Sequence, residues 1–189
     1  MNVHTGDHRI RVLVAAASRH GATFEIAEEI GRVIGDALAP GADVDVRRAE
    51  DVSLDDAYDA AIVGSAVYVG QWLHPARRLA EAVAAMRPNA PLWLFSSGPI
   101  GDPPHPQEAP AEAAGLVNRT GAREHVVFAG RLDKHDLRFN ERAVVGAVRA
   151  PAGDFRDRAA IGRWAQHVAG ELRAMHAMAS HPSTTREAE

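Results

Sequence analysis

Apolar runs alternate with amphipathic stretches along most of this chain. "IRVLVAA" (10–16) is β-branched and apolar and predicts a buried strand. Over 22–38, Ile26, Ile30, Val33 and Ala37 recur at helical spacing, which places them on one face of a helix. Glu25, Glu28 and Glu29 lie near its N-terminal end, where the helix dipole favours carboxylates. "APGA" (39–42) closes that helix, and "DVDVRR" (43–48) alternates as a second strand. "DAAIVGSAV" (59–67) predicts the third strand, and 73–86 a helix with Leu79, Val83 and Met86 along one side. "APLWLFSSG" (90–98) and "EHVVFAG" (124–130) predict the fourth and fifth strands. Weaker helical patterns cover 107–120 and 140–149. A last helix starts from Asp157 as N-cap and runs to about 175, with Ile161, Trp164, Val168, Leu172 and Met175 as its core stripe. Residues 1–8 and 176–189 read as disordered tails.

Five apolar strands alternating with helices predict an α/β domain over 9–175. Its parallel sheet is covered by helices on both faces. No internal repeat or linker divides it.

Composition narrows the chemistry. With 189 residues and 46% hydrophobic positions the chain can bury one ordinary core. A net charge of −4 excludes a broad basic footprint for nucleic acid. The absence of cysteine excludes disulfides, thiolate catalysis and Cys-ligated metal or iron–sulfur sites. Redox chemistry would then need an organic cofactor. "MNVHTGDHRIRVLV" lacks the layout of a secretory leader, and no run approaches the ~20 apolar residues of a membrane span, so a cytoplasmic protein is expected. His4 and His8 have i,i+4 spacing in a segment with no helical pattern, so no metal site is assigned there.

In a doubly wound sheet ligands bind beyond the carboxyl ends of the strands, where strand order reverses. The loops after strands one, three and four are therefore the informative ones. The first is Ser18-Arg19-His20-Gly21-Ala22-Thr23, at a strand-to-helix turn. A helix N-terminus offers unpaired N–H groups to an anion, Gly21 permits close approach, and Ser18 and Thr23 add hydroxyls. It has neither a Walker-type Gly-Lys-Ser/Thr ending nor a G-x-G-x-x-G pattern. The alternative is an ordinary turn in which Thr23 only caps the helix. The second loop, "GSAVYVGQW" (64–72), brackets an apolar segment with glycines and carries Tyr68 and Trp72. It suits the flank of a flat ring, or else its aromatics are packing residues, the favoured reading for Trp72. The third, "SSGPIGDPP" (96–104), offers Ser96, Ser97, Gly98 and Gly101 to the polar edge of a heterocycle, or is a turn set by Pro99. His20, His74 and His105 lie near these loops and read as surface histidines.

Taken together the three loops resemble the FMN site of the flavodoxin-like family, whose first turn has the form T/S-x-x-G-x-T. The resemblance covers about 9–175 and is closest to the branch containing menaquinone-dependent protoporphyrinogen oxidase. That branch is matched by the Tyr68 strand exit, by Phe128-Ala129-Gly130 followed by an insertion, and by "GDFRD" (Gly153 to Asp157) before a Trp-bearing helix. The resemblance implies a flavodoxin-like five-stranded sheet of order 2-1-3-4-5. It implies FMN with its phosphate on Ser18, Arg19, His20, Gly21, Ala22 and Thr23. The ring would lie between Ser65, Ala66, Val67, Tyr68, Val69 and Gly70 on one side and Ser96, Ser97, Gly98 and Gly101 on the other. Tyr68 or Trp72 would supply aromatic contact. No general acid or base is assigned. The implied function is an FMN oxidoreductase, protoporphyrinogen oxidase-like and quinone-dependent, with peripheral membrane contact to reach a quinone or porphyrinogen. A one-electron carrier for a redox partner and a binding module without FMN are the alternatives.

Overall fold

The computed structural model describes residues 9–98, 110–132 and 152–180. The segments 1–8 and 181–189, the stretch 99–109 with Gly101 and His105, and the predicted helix over 140–149 lie outside the described residues.

β1 (Ile10–Ala17) is buried on both faces. Val12, Val14 and Ala16 enter one core, and Leu13, Ala15 and Ala17 enter the other. Period-two side chains with helices above and below explain why this strand reads as continuously apolar. α1 (Ala22–Leu38) follows, then β2 (Ala42–Arg48), a half-buried edge strand whose Val44 and Val46 pack against the α1-side core. β3 (Ala60–Tyr68) leads through β4 (Gln71–Trp72) into α2 (His74–Met86). β5 (Leu92–Ser97), α3 (Ala111–Thr120) and β6 (Glu124–Phe128) complete the main sheet. A two-stranded ribbon of β7 (Arg131–Leu132) and β8 (Gly153–Asp154) precedes α4 (Arg158–Ser180).

The sheet order is β2-β1-β3-β5-β6, parallel throughout, with β4 added antiparallel to β3. Setting aside the two-residue β4, which the pattern did not predict, this is the expected order. α1 and α4 cover one face and α2 and α3 the other.

Two details differ from expectation. α2 ends at Met86 as expected, with the Arg87 N–H donating to the Val83 carbonyl, but Met86 itself is exposed. α4 continues past 175 to Ser180, so residues 176–180 are helical and not tail. Met175 still packs on the core, Arg173 donates to the Ala37 carbonyl, and the Ala- and Met-rich end has good helix propensity. Asp157 caps α4 as expected, its Oδ1 accepting the Ala160 N–H at 2.9 Å.

The α1/α4-side core contains a three-ring cluster. Phe95, Phe128 and Trp164 have ring centroids 5.8 to 6.4 Å apart in tilted and edge-on arrangements. The Trp164 Nε1–H donates to Glu124 at 2.8 Å. Phe95 pairs across the sheet with Gly64, and a Cβ at 64 would lie 2.0 Å from the Phe95 ring. Only glycine leaves room for that ring. Gly64→Ala is therefore expected to cost about 1–3 kcal/mol by overpacking. Urea unfolding should show a lower midpoint at unchanged m, and Phe95→Leu added to Gly64→Ala should recover part of the loss.

Candidate functional site

β1, β3 and β5 end level with one another. Ala17 sits opposite Ser65, Ser65 opposite Ser96, and Ala66 opposite Ser97. The segments leaving these ends therefore share the carboxyl edge of the sheet. The chain runs from β1 outward to β2, then crosses to β3 on the other side of β1. Strand order thus reverses between β1 and β3, the position where sheets of this kind bind ligands.

The first turn is built around Gly21. It is the N-cap of α1 at φ 83°, a left-handed conformation that favours glycine, and no side chain caps the helix. The N–H of Glu25 makes a helical bond to the Gly21 carbonyl at 2.9 Å. The amides of residues 22–24 lie before that bond and have no acceptor within the helix. Among the described residues nothing stands within 4 Å of where a Cβ at 21 would be. Thr23 is buried and does not cap the helix, so the capping role considered for it is not the one it plays. Ser18 and His20 are half-buried and Arg19 is exposed.

The second segment is a tight hairpin and not an open loop. Ser65, Ala66, Val67 and Tyr68 belong to β3, and Tyr68 pairs with Gln71. Only Val69 and Gly70 form the turn, both at positive φ (51° and 74°), as a two-residue hairpin requires. Val69 is 92% exposed at the tip. Arg19 reaches across from the first turn and lies 4.3 Å from the centre of the Tyr68 ring, a cation–π contact joining the two segments.

The serines expected at a ligand are partly committed elsewhere. Ser65 is fully buried, its Oγ donating to the Ala66 carbonyl at 2.8 Å and accepting the Leu73 N–H at 2.9 Å. Ser96 and Ser97 lie inside β5, not in a loop. The Ser96 Oγ accepts the Trp72 Nε1–H at 2.8 Å and bonds His125 Nε2 at 2.8 Å. Burial pushes His125 below the usual histidine range, against the opposing pull of Glu124. Trp72 is thus a packing residue. Its N–H donates to Glu112, which also pairs with Arg77 at 2.7 Å, pinning β4 to α3 and α2. Gly98 packs against Val67, leaving 3.1 Å between a Cβ placed there and the Val67 Cβ. The sheet edge therefore gathers residues 18–23, Tyr68, Val69, Gly70 and Gly98. His74 is exposed at the start of α2.

Residue patterns did not point to one cluster at this edge. Glu25, in the first turn of α1, pairs with Arg156 at 2.7 Å and Arg131 at 3.0 Å. Arg156 is only 3% exposed and also grips Asp154 with Nε and Nη2, at 2.8 and 2.7 Å. The Arg156 hydrogen bond holds the Asp154 carboxyl down at about 2, against the opposing effect of burial. For Glu25, burial raises the pKa, and Arg156 and Arg131 together outweigh it, leaving it lowered. Only the proximity of Arg131 and the "GDFRD" segment to the first turn reveals the cluster, and that proximity is tertiary.

A parallel doubly wound sheet with a glycine-capped helix start at its switch point defines a class of α/β domains that bind ligands at that edge. The chain belongs to the Flavodoxin domain family, which matches residues 13–159. No curated protein matches it. Among solved structures it is similar to an archaeal flavodoxin, with 20% identity, TM-score 0.60, and coverage of 87% of this chain and 99% of that one. It is similar to rubredoxin oxygen:oxidoreductase from Desulfovibrio gigas, with 16% identity and TM-score 0.59, over 89% of this chain and 38% of that one. Two-electron reduced Megasphaera elsdenii flavodoxin gives 19% identity and TM-score 0.53, over 82% and 98%. These likenesses establish the fold. The family match supports the flavodoxin family and not the expected oxidase branch. No helix among the described residues is long and apolar enough to cross a membrane.

Two expectations follow from this geometry. Val69 holds a left-handed conformation that costs a β-branched residue, so Val69→Asn should stabilise the fold by about 1 kcal/mol, read as a raised thermal midpoint. The ion-pair contribution of Asp154 is present above its ordinary value of 3.8 and is lost as pH falls toward 2. The stability gap between wild type and Asp154→Asn should be constant near neutrality and close over that window in pH-dependent urea unfolding.

Proposed function

We propose that this protein binds FMN at the sheet edge and works as a flavin-dependent oxidoreductase in electron transfer. The observation that carries this reading is the Gly21-capped turn at the switch point, in a chain of the Flavodoxin domain family. The donor set suits the cofactor: amides at a helix start and small hydroxyls for a phosphate, and a hairpin tip with Tyr68 beside a ring. Residues 18–23 would hold the phosphate. Tyr68, Val69 and Gly70 would flank the ring on one side and the segment from Gly98 on the other. Ser65 and Ser96 support those walls from within, since their hydroxyls are already bonded. When bound, FMN supplies the electron-transfer chemistry, and the chain sets its position and solvent access.

A narrower reading is quinone-dependent oxidation of a porphyrinogen-type substrate. It is favoured by the way the chain leaves at Leu132 and returns at Gly153 on paired strands directly after Phe128-Ala129-Gly130, as in the expected insertion. Turnover of protoporphyrinogen with a quinone by the FMN-loaded protein supports it. Loaded protein that exchanges electrons only with protein partners supports the carrier role instead.

Purified protein should show a flavin absorbance spectrum or quench the fluorescence of added FMN. Protein that does neither overturns the proposal. Ser18→Ala combined with Thr23→Ala should weaken FMN binding about tenfold or more, by removing hydrogen bonds to a charged group. Riboflavin, which lacks the phosphate, should bind both proteins alike, and equal FMN affinity would remove these hydroxyls from the phosphate site.

A further inference from the structure

A phosphate and a carboxylate compete for the same end of a helix. The positive end of α1 already holds one carboxylate, Glu25, in its first turn. Left uncompensated, that charge would repel a dianion seated on the amides of the same turn. Arg156 and Arg131 meet it from the other end of the sequence, at 2.7 and 3.0 Å. The Arg156 guanidinium is almost fully enclosed, forked onto Asp154, and also donates to the Ala22 carbonyl at 3.4 Å. One side chain thus ties the first turn of α1 to β8 and the start of α4. Among the described residues, two arginines and two carboxylates make this cluster neutral.

We propose that Arg156 is a positioning residue for anion binding: it neutralises Glu25 and anchors the first turn of α1, so that this turn accepts a phosphate group. The proposal rests on the FMN reading above. It also accounts for the "GDFRD" segment, in which Asp154 orients Arg156, Arg156 reaches Glu25, and Asp157 caps α4.

The test is a charge series on the full chain: wild type, Arg156→Met, Glu25→Gln and the double variant. FMN and riboflavin are titrated separately by fluorescence, with thermal midpoints alongside. The cluster carries no net charge in wild type and in the double variant, one negative charge in Arg156→Met and one positive charge in Glu25→Gln. FMN affinity should follow that charge. Arg156→Met should bind on the order of tenfold more weakly at low salt, with the difference shrinking as ionic strength rises. Glu25→Gln should bind at least as tightly as wild type, and the double variant should return to the wild-type level. Riboflavin affinity should stay level across the series. A purely structural role predicts the reverse for Glu25→Gln and the double variant: weaker binding of both flavins, tracking the thermal midpoint, and that result overturns the proposal. If Arg156→Met fails to fold, Glu25→Gln and the double variant still decide by the same criterion. Wild-type protein that binds FMN, with Arg156→Met binding it equally, overturns this inference alone. Wild-type protein that binds neither flavin overturns the FMN reading and this inference with it.

Discussion

The parallel ladder through β1, β3 and β5 is the constraint on which the rest depends. These strands are buried on both faces, so their register is set by two cores at once and by the backbone bonds between them. With Ala17, Ser65 and Ser96 in one row, three chain exits come out side by side. Phe95 lying over Gly64 holds β3 and β5 in that register from within the core. A slip along either strand would set a Cβ against that ring and separate the exits. The candidate site is a consequence of this alignment, because none of its segments is near another in sequence.

Around the edge, polar groups divide into two sets. One set is spent inside: Ser65 on the backbone of its own hairpin, Ser96 between Trp72 and His125, and Glu112 on Trp72 and Arg77. Such groups would be costly if left unbonded under two layers of helix, and satisfying them makes the walls of the site rigid. The other set faces the opening: the amides at the start of α1, the exposed Arg19 and the half-buried Tyr68. Arg19 over Tyr68 links the first turn to the hairpin. The Glu25–Arg156–Asp154 cluster ties the same turn to β8 and the start of α4.

Much of the fold was legible because burial on two faces leaves a simple imprint. β1, α1 and the five-residue stripe of α4 lie where the apolar pattern put them, since periodicity records which faces meet the core. The glycine turn between β1 and α1 was legible too, because a strand-to-helix junction with a glycine is a local feature. The hairpin at Val69-Gly70 was not. A valine at positive φ carries no turn signal, and only the pairing of Tyr68 with Gln71 imposes it. Ser96 read as a loop donor because a serine at a strand exit looks the same whether its hydroxyl faces a ligand or an indole N–H.

The sequence by itself determined the class of fold, the order of the main elements and the glycine turn between β1 and α1, since each follows from local periodicity or local chemistry. Only the tertiary structure decided which donors remain available at the sheet edge, that Trp72 is interior, and that Arg131 and Arg156 neutralise Glu25. The physical reason is distance along the chain. Arg156 meets Glu25 across 131 positions, and no local pattern encodes a pairing that exists only once two helices and a ribbon have packed on the same sheet.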